Sequence, residues 1–249
     1  VTFNDNTVHE YRKGTLFYDA SKDFDMENIV GYKINNEVFS LDNKILEDVK
    51  IDFINTEDLI GNRIYKAGLK FLFLVALQEV FNGFDVSFEH SVPRGMLGII
   101  EGSRILTQED ISLIKEKMCK IINDNEIITK LNVSPKDAIK YYKDKNEYEK
   151  ANNIQNISDK VVSLYKLKNN LNYFYSLMPY STGALSKFEL VYLGNNKVIL
   201  LFPTTRSHGN VPEYVHYDKI IESFANGKKW LENLNMPYVT DLNKDVGNG

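Results

Sequence analysis

The residues whose types and spacing could do chemistry fall in two short segments. In His90-Ser91-Val92-Pro93-Arg94-Gly95, an imidazole and a guanidinium flank a proline-directed turn, a combination that could hold an anion. In Ser181-Thr182-Gly183, two hydroxyls precede a glycine, as in a turn that touches a phosphate. Taken singly, the first segment is also an ordinary solvated loop and the second an ordinary turn. Tyr173-Phe174-Tyr175, with Tyr180, could offer a base-stacking surface or pack a strand against a core.

Other reactive types are less usefully placed. Cys119 is the single cysteine, so no intramolecular disulfide is possible. It follows Met118 on an apolar helical pattern and reads as a buried small hydrophobe rather than a nucleophile. His9, His90, His208 and His216 are scattered without metal-ligand spacing, and no metal site is expected. There is no GxxxxGK[ST] loop, since Gly227-Lys228-Lys229 lacks the first glycine. There is also no HExxH, CxxC or GxSxG. Phosphoryl transfer by this chain is therefore not expected, and no catalytic residue is assigned.

Residues 1–55 form short β-rich runs: Val1–Asn4, Val8–Arg12, Ile29–Ile34, Glu37–Leu41 and Val49–Ile54, with a short helix over Ala20–Asn28. Asn35-Asn36 is a tight turn, because Asn tolerates positive φ. Two strands, a helix and further strands make a β-grasp-like order. From Gly61 to Phe81 the pattern changes to a long helix that is apolar on most faces and must be buried against a sheet. Strands at Phe84–His90 and Met96–Ile100 follow, joined by the turn at Pro93–Gly95. Thr107-Gln108-Glu109-Asp110 opens a capped helix carrying Ile111, Ile114, Met118 and Ile121. A strand spans Ile127–Val133, and Ser134-Pro135 starts another helix. The polar stretch Lys143–Asp159 reads as a helix and a loop. Strands are expected at Val161–Leu167, Leu185–Tyr192 and Val198–Phe202, and a helix at Tyr217–Leu234.

Hydrophobic residues make up 43% of the 249-residue chain and charged residues 26%, enough apolar material for a core, and the net charge of -4 gives no whole-chain bias toward nucleic acid or membrane. The longest apolar stretch, Leu69–Leu77, is interrupted by Lys70 and is shorter than the roughly 18 residues that a membrane span needs. The first residues carry neither a signal-peptide pattern nor a Met, so the chain reads as a piece of a cytoplasmic protein.

In order and spacing these segments resemble a known arrangement. "EYRKGTLFYDASKDF" and "IVGYKINNEVFSLDNKILEDVKIDFI" resemble a TGS domain, the β-grasp module shared by threonyl-tRNA synthetases, certain GTPases and stringent-response enzymes. Residues 61–190 are similar to the second additional domain of threonyl-tRNA synthetase, which is related to alanyl-tRNA synthetase editing domains. That family carries an HxxxH pair on its first long helix and a Cys/His pair on a later segment. In "AGLKFLFLVALQEVFNG" and "FYSLMPYSTGALSKFEL", Ala67, Phe71, Phe174 and Met178 stand at those four positions. Ala, Phe and Met cannot do imidazole or thiolate chemistry, so the editing chemistry is expected to be lost. "HSVPRGMLGIIEG", "SLMPYSTGALSKFEL" and "KKWLENLNMPYVTDLN" further resemble the front half of uridine-kinase-like bacterial proteins, over nearly the whole chain.

The resemblance implies an α+β fold: a TGS-like domain over residues 1–56, a degenerate editing-type domain over 61–242, and a linker over 243–249 toward a kinase domain outside the chain. It implies a binding or regulatory role for the chain, with ATP and Mg needed only by that kinase domain. The alternatives are an aminoacyl-tRNA editing hydrolase, a tRNA-binding domain and a dimerisation scaffold. Expected partners are the chain's own kinase domain and a nucleotide or small molecule; a second copy is an open alternative, a tRNA is the less favoured one, and no membrane is expected. In the related scaffold the pocket lies between helix and strand. His90, Arg94, Gly95, Ser181, Thr182 and Gly183 are accordingly expected to line one cleft, with Phe71 and Phe174 as an apolar floor.

Overall fold

The computed structural model describes residues 1–3, 6–145, 147–155 and 160–215. Contacts divide the chain into two units, the first comprising Val1–Lys130 and Tyr165–Tyr214, while Leu131–Leu164 belong to the second.

The first unit begins with β1 (Thr2–Phe3), α1 (Phe17–Ser21), β2 (Gly31–Ile34), β3 (Glu37–Phe39) and β4 (Lys50–Ile54). They form a mixed sheet in the order β1-β4-β2-β3, with β1 and β4 parallel and the other pairs antiparallel. This is the β-grasp order. Asn35 and Asn36 at φ 48 and 69 make the β2–β3 turn, as their type predicts. Phe3, Phe17, Tyr32, Ile51 and Phe53 build the core of this part. Two local expectations are corrected. Val8 makes only an isolated bridge to Thr2, so Val8–Arg12 is not a strand. The helix lies at Phe17–Ser21 rather than Ala20–Asn28: Phe17 and Ala20 need burial on one face, and Asn28 at φ 54 is incompatible with a helix.

Next comes α2 (Leu59–Val80), followed by β5 (Asp85–Val92), β6 (Gly95–Glu101) and α3 (Gln108–Asn123). Leu69, Phe71, Leu72, Phe73, Val75 and Leu77 of α2 are essentially inaccessible, so this helix is the centre of the larger core. One buried polar side chain on it is satisfied: Asn62 donates to the Thr56 and Pro203 carbonyls at 3.2 and 2.7 Å.

The start of α3 has the expected capping box. Asp110 N–H donates to the Thr107 hydroxyl at 3.3 Å, and Thr107 N–H donates to the Asp110 carboxylate at 2.8 Å. Arg104 adds two bonds to the same carboxylate, at 2.6 and 2.9 Å. That guanidinium, together with the Thr107 amide, holds the Asp110 carboxyl down to about 2. A lowered folded-state pKa contributes stability that is complete above the ordinary carboxylate value and is lost as pH falls through the folded one. Between about pH 4 and 2, wild-type stability is therefore expected to fall more steeply than that of Asp110→Asn, as measured by denaturant melts across that range.

The helix periodicity also corrects Cys119, which is exposed while Met118 is fully buried. One residue along a helix turns the side chain by about 100°, which carries position 119 off the core face.

The second unit takes most of β7 (Thr129–Val133), then α4 (Pro135–Asp144), α5 (Tyr148–Gln155) and the start of β8 (Val162–Leu167). Ser134 caps α4 by accepting from Asp137 N–H at 3.2 Å, with Pro135 in the first turn. Ala138, Tyr142, Ala151 and Ile154 are buried.

The first unit then resumes with β9 (Asn170–Tyr173), which ends where the strand reading of the aromatic run begins, and a 3₁₀ turn at Thr182–Leu185. It closes with β10 (Glu189–Gly194) and β11 (Lys197–Leu201), so the strand expected from Leu185 begins four residues later. β10, β11, β6 and β5 form an antiparallel sheet in that order. The helix expected at Tyr217–Leu234 and the linker over 243–249 lie outside the described residues. Among the described residues, no helix is long and apolar enough to cross a membrane.

Candidate functional site

α2 carries Ala67 and Phe71, the first two of the four positions at which the resemblance expects editing chemistry. They lie one turn apart and are buried, Phe71 completely. Met178 is buried as well, and Phe174 packs against the same core. The Phe71 and Phe174 rings meet at a centroid distance of 5.3 Å, tilted by 53°. The space between helix and strand is thus filled by apolar side chains. Among the described residues, no three His, Cys, Asp or Glu side chains converge to hold a metal ion.

The expected binding residues line different cavities among those described. Arg94 lies at the tip of the β5–β6 hairpin and lines a cavity of about 500 Å³ with Thr204, Thr205, Arg206, Ser207 and Pro212. Ser181 and Gly183 line a different cavity, of about 430 Å³, with Tyr18, Asn125 and residues of the β-grasp part. Among the described residues, neither of these two cavities is lined by both segments. His90 is in β5, its backbone paired with Leu97.

Structural duties explain several of these residues. Thr182 is fully buried; its hydroxyl accepts from Glu126 N–H at 2.9 Å and donates to the Ile121 carbonyl at 2.8 Å. Gly183 N–H donates to Asn125 Oδ1 at 3.1 Å, and a Cβ at this glycine would meet that oxygen at 2.4 Å. Gly95 allows β6 to approach β11, since a Cβ there would lie 2.9 Å from the Leu200 carbonyl oxygen. In the aromatic run, Tyr175 is 88% exposed and Phe174 faces the core, so the two readings of that segment divide between neighbouring side chains.

Sequence reasoning passed over the cations beside this core. Lys66 and Lys70 are partly buried and one helical turn apart on α2. Lys66 Nζ lies 5.7 Å from the centroid of the Phe202 ring and Lys70 Nζ 5.8 Å from that of Phe88. Burial lowers both pKa values, and neighbouring positive charge lowers them further: Arg63 for Lys66, and Lys66 for Lys70. Among the described residues, neither ammonium has a carboxylate partner. The available signal was the charge of Lys66 and Lys70 immediately preceding Ala67 and Phe71, on a helix apolar on most faces.

No family model matches the chain. It is similar to threonine–tRNA ligases. That of Caldanaerobacter subterraneus is 28% identical over 170 residues, covering 67% of this chain and 26% of the ligase. That of Parabacteroides distasonis is 25% identical over 169 residues, covering 66% and 26%. The ligase of Wolbachia pipientis is 24% identical over 193 residues, covering 77% and 30%. The chain thus matches between 26% and 30% of the length of these relatives. They are ligases, so the expected uridine-kinase-like parent and its kinase-domain partner gain no support from them. The α+β architecture is that of a β-grasp (TGS-like) part followed by an editing-type α+β part, similar to a portion of threonine–tRNA ligases.

Proposed function

We propose that the chain is an aminoacyl-tRNA-synthetase-type accessory module that binds tRNA and does not hydrolyse the aminoacyl ester. The carrying observation is the contact between Phe71 and Phe174, at two positions where an editing domain would present imidazole and thiolate. An aromatic pair supplies no general base, nucleophile or metal ligand. Beside it lie Lys66 and Lys70, with no described carboxylate paired to either, an arrangement suited to the phosphates of a single strand. Such a module would act in the cytoplasm.

Filter binding of tRNA across a salt series tests the reading. Lys66→Gln and Lys70→Gln are each expected to weaken binding and to reduce the log–log salt slope by roughly one. Aminoacyl-tRNA incubated with the chain should lose its amino acid at the uncatalysed rate. Absence of binding, or a salt slope untouched by both variants, defeats the binding half; deacylation well above the blank defeats the non-hydrolytic half.

A second reading places the same module at the front of a uridine-kinase-like nucleoside kinase. Its support is the order of the motifs "HSVPRGMLGIIEG" and "MPYSTGALSKFEL". The residues that follow Gly249 in the natural protein test it, through the presence or absence of a GxxxxGK[ST] loop.

A further inference from the structure

We propose that the cavity formed by Arg94 and the Thr204–Ser207 loop is a binding site for a phosphate monoester, separate from the α2 core and independent of the tRNA reading. Its position follows from strand register. Gly95, the first residue of β6, pairs with Leu201, the last residue of β11. Because the strands are antiparallel, the residue before Gly95 and the chain after Leu201 emerge at the same end of the sheet. Arg94 and the loop carrying Arg206 therefore line one cavity, although they are far apart in sequence.

The chemistry of the lining is one-sided. Among the described residues, two guanidinium-bearing side chains, three hydroxyl-bearing ones and Pro212 line about 500 Å³, with no carboxylate-bearing residue beside them. The other cavities differ: that beside the amino-terminal strand is lined by Glu10, Glu47 and Asp48 as well as Lys13. Among the described residues Arg94 and Arg206 make no ion pair, and Arg94 reaches only the Glu213 carbonyl at 3.5 Å, the edge of hydrogen-bond range. Two like charges directed into one concavity favour an anion between them. A guanidinium pairs with phosphate oxygens through two parallel donors, which a dianionic monoester can use twice.

The loop is built to hold its hydroxyls in place. The Ser207 hydroxyl accepts from Thr204 N–H at 2.8 Å and donates to the Thr204 carbonyl at 3.1 Å. Ser207 N–H also donates to that carbonyl, at 3.1 Å, closing a turn around Thr205 and Arg206. Thr205, at the apex, has no described hydrogen-bond partner for its hydroxyl and remains available as a donor. Arg94 itself sits at φ 71 in the two-residue Pro93-Arg94 turn, where Gly or Asn is the low-cost occupant. A guanidinium is thus placed at a backbone position that local conformation alone would give to a smaller residue. The volume exceeds that of a bare phosphate and leaves room for the esterified group beyond it.

Calorimetric titration of the chain at constant ionic strength tests the assignment, with inorganic phosphate, a nucleoside 5′-monophosphate and a 5′-phosphorylated oligoribonucleotide as probes. Phosphate is expected to bind where an equal charge concentration of chloride does not. Arg94→Gly, which suits the positive φ, and Arg206→Ala should each weaken phosphate by about tenfold or more. Lys66→Gln and Lys70→Gln should leave it unchanged, which separates this site from the tRNA surface. Tighter binding of the nucleoside monophosphate than of phosphate identifies a small-molecule site. Preference for the 5′-phosphorylated over the 5′-hydroxyl oligoribonucleotide, with no gain for the monophosphate, identifies an RNA end. Phosphate affinity that survives both arginine substitutions, or that chloride reproduces, overturns the proposal.

Discussion

Phe71→Ala is expected to lower the stability of the chain by about 3–5 kcal/mol, the range for truncating a fully buried phenylalanine. Phe71 has no accessible surface, sits mid-way along the helix at the centre of the core, and touches Phe174. Removing the ring deletes buried apolar area and leaves a cavity that the surrounding helix and sheet can close only in part. Domains are stable by about 5–15 kcal/mol, so the variant should show a markedly lower urea midpoint and partial unfolding near physiological temperature. Phe71→Leu should recover most of the loss. An Ala variant as stable as wild type would mean that the space between α2 and Phe174 is an open pocket, and the filled-site account of lost editing chemistry would fail with it.

Thr182→Val should cost about 2–4 kcal/mol, although it preserves shape. The hydroxyl satisfies the Glu126 N–H and the Ile121 carbonyl together; the bond to Ile121 is buried and the one from Glu126 partly buried. An unsatisfied buried backbone group costs about 1–3 kcal/mol, and valine leaves one such group and a partly buried second one without a partner. Thr182→Ser keeps both bonds and should lie much closer to wild type in the same urea melts. A Val variant of unchanged stability would show that the hydroxyl is free for a ligand, returning Thr182 to the binding role that its Ser-Thr-Gly context suggested.

The features legible in the sequence are those that short-range physics decides. The apolar run of residues 61–81 marked α2, because a helix apolar on most of its faces must be buried against other elements. Thr107 and Asp110 marked the start of α3, because the unpaired amide groups of a first helical turn need local acceptors. Asn35-Asn36 marked a hairpin through the tolerance of Asn for positive φ. That Ala67, Phe71, Phe174 and Met178, at the positions where the resemblance expects editing ligands, are apolar was equally a matter of residue type.

What the sequence could not decide is which segments share a cavity. Arg94 and Ser181–Gly183 looked like one site, yet their surroundings are set by different neighbours. The register of β6 against β11 carries Arg94 to the Thr204–Ser207 loop. The hydrogen bonds of Thr182 and Gly183 carry the other segment to the end of α3. Lys66 and Lys70 acquire their aromatic neighbours in the same way, from β5 and from the residue after β11. Side-chain type and local spacing fix which groups can do chemistry, but the pairing of strands distant in the chain fixes which of them meet, and that pairing depends on the packing of the whole sheet against α2.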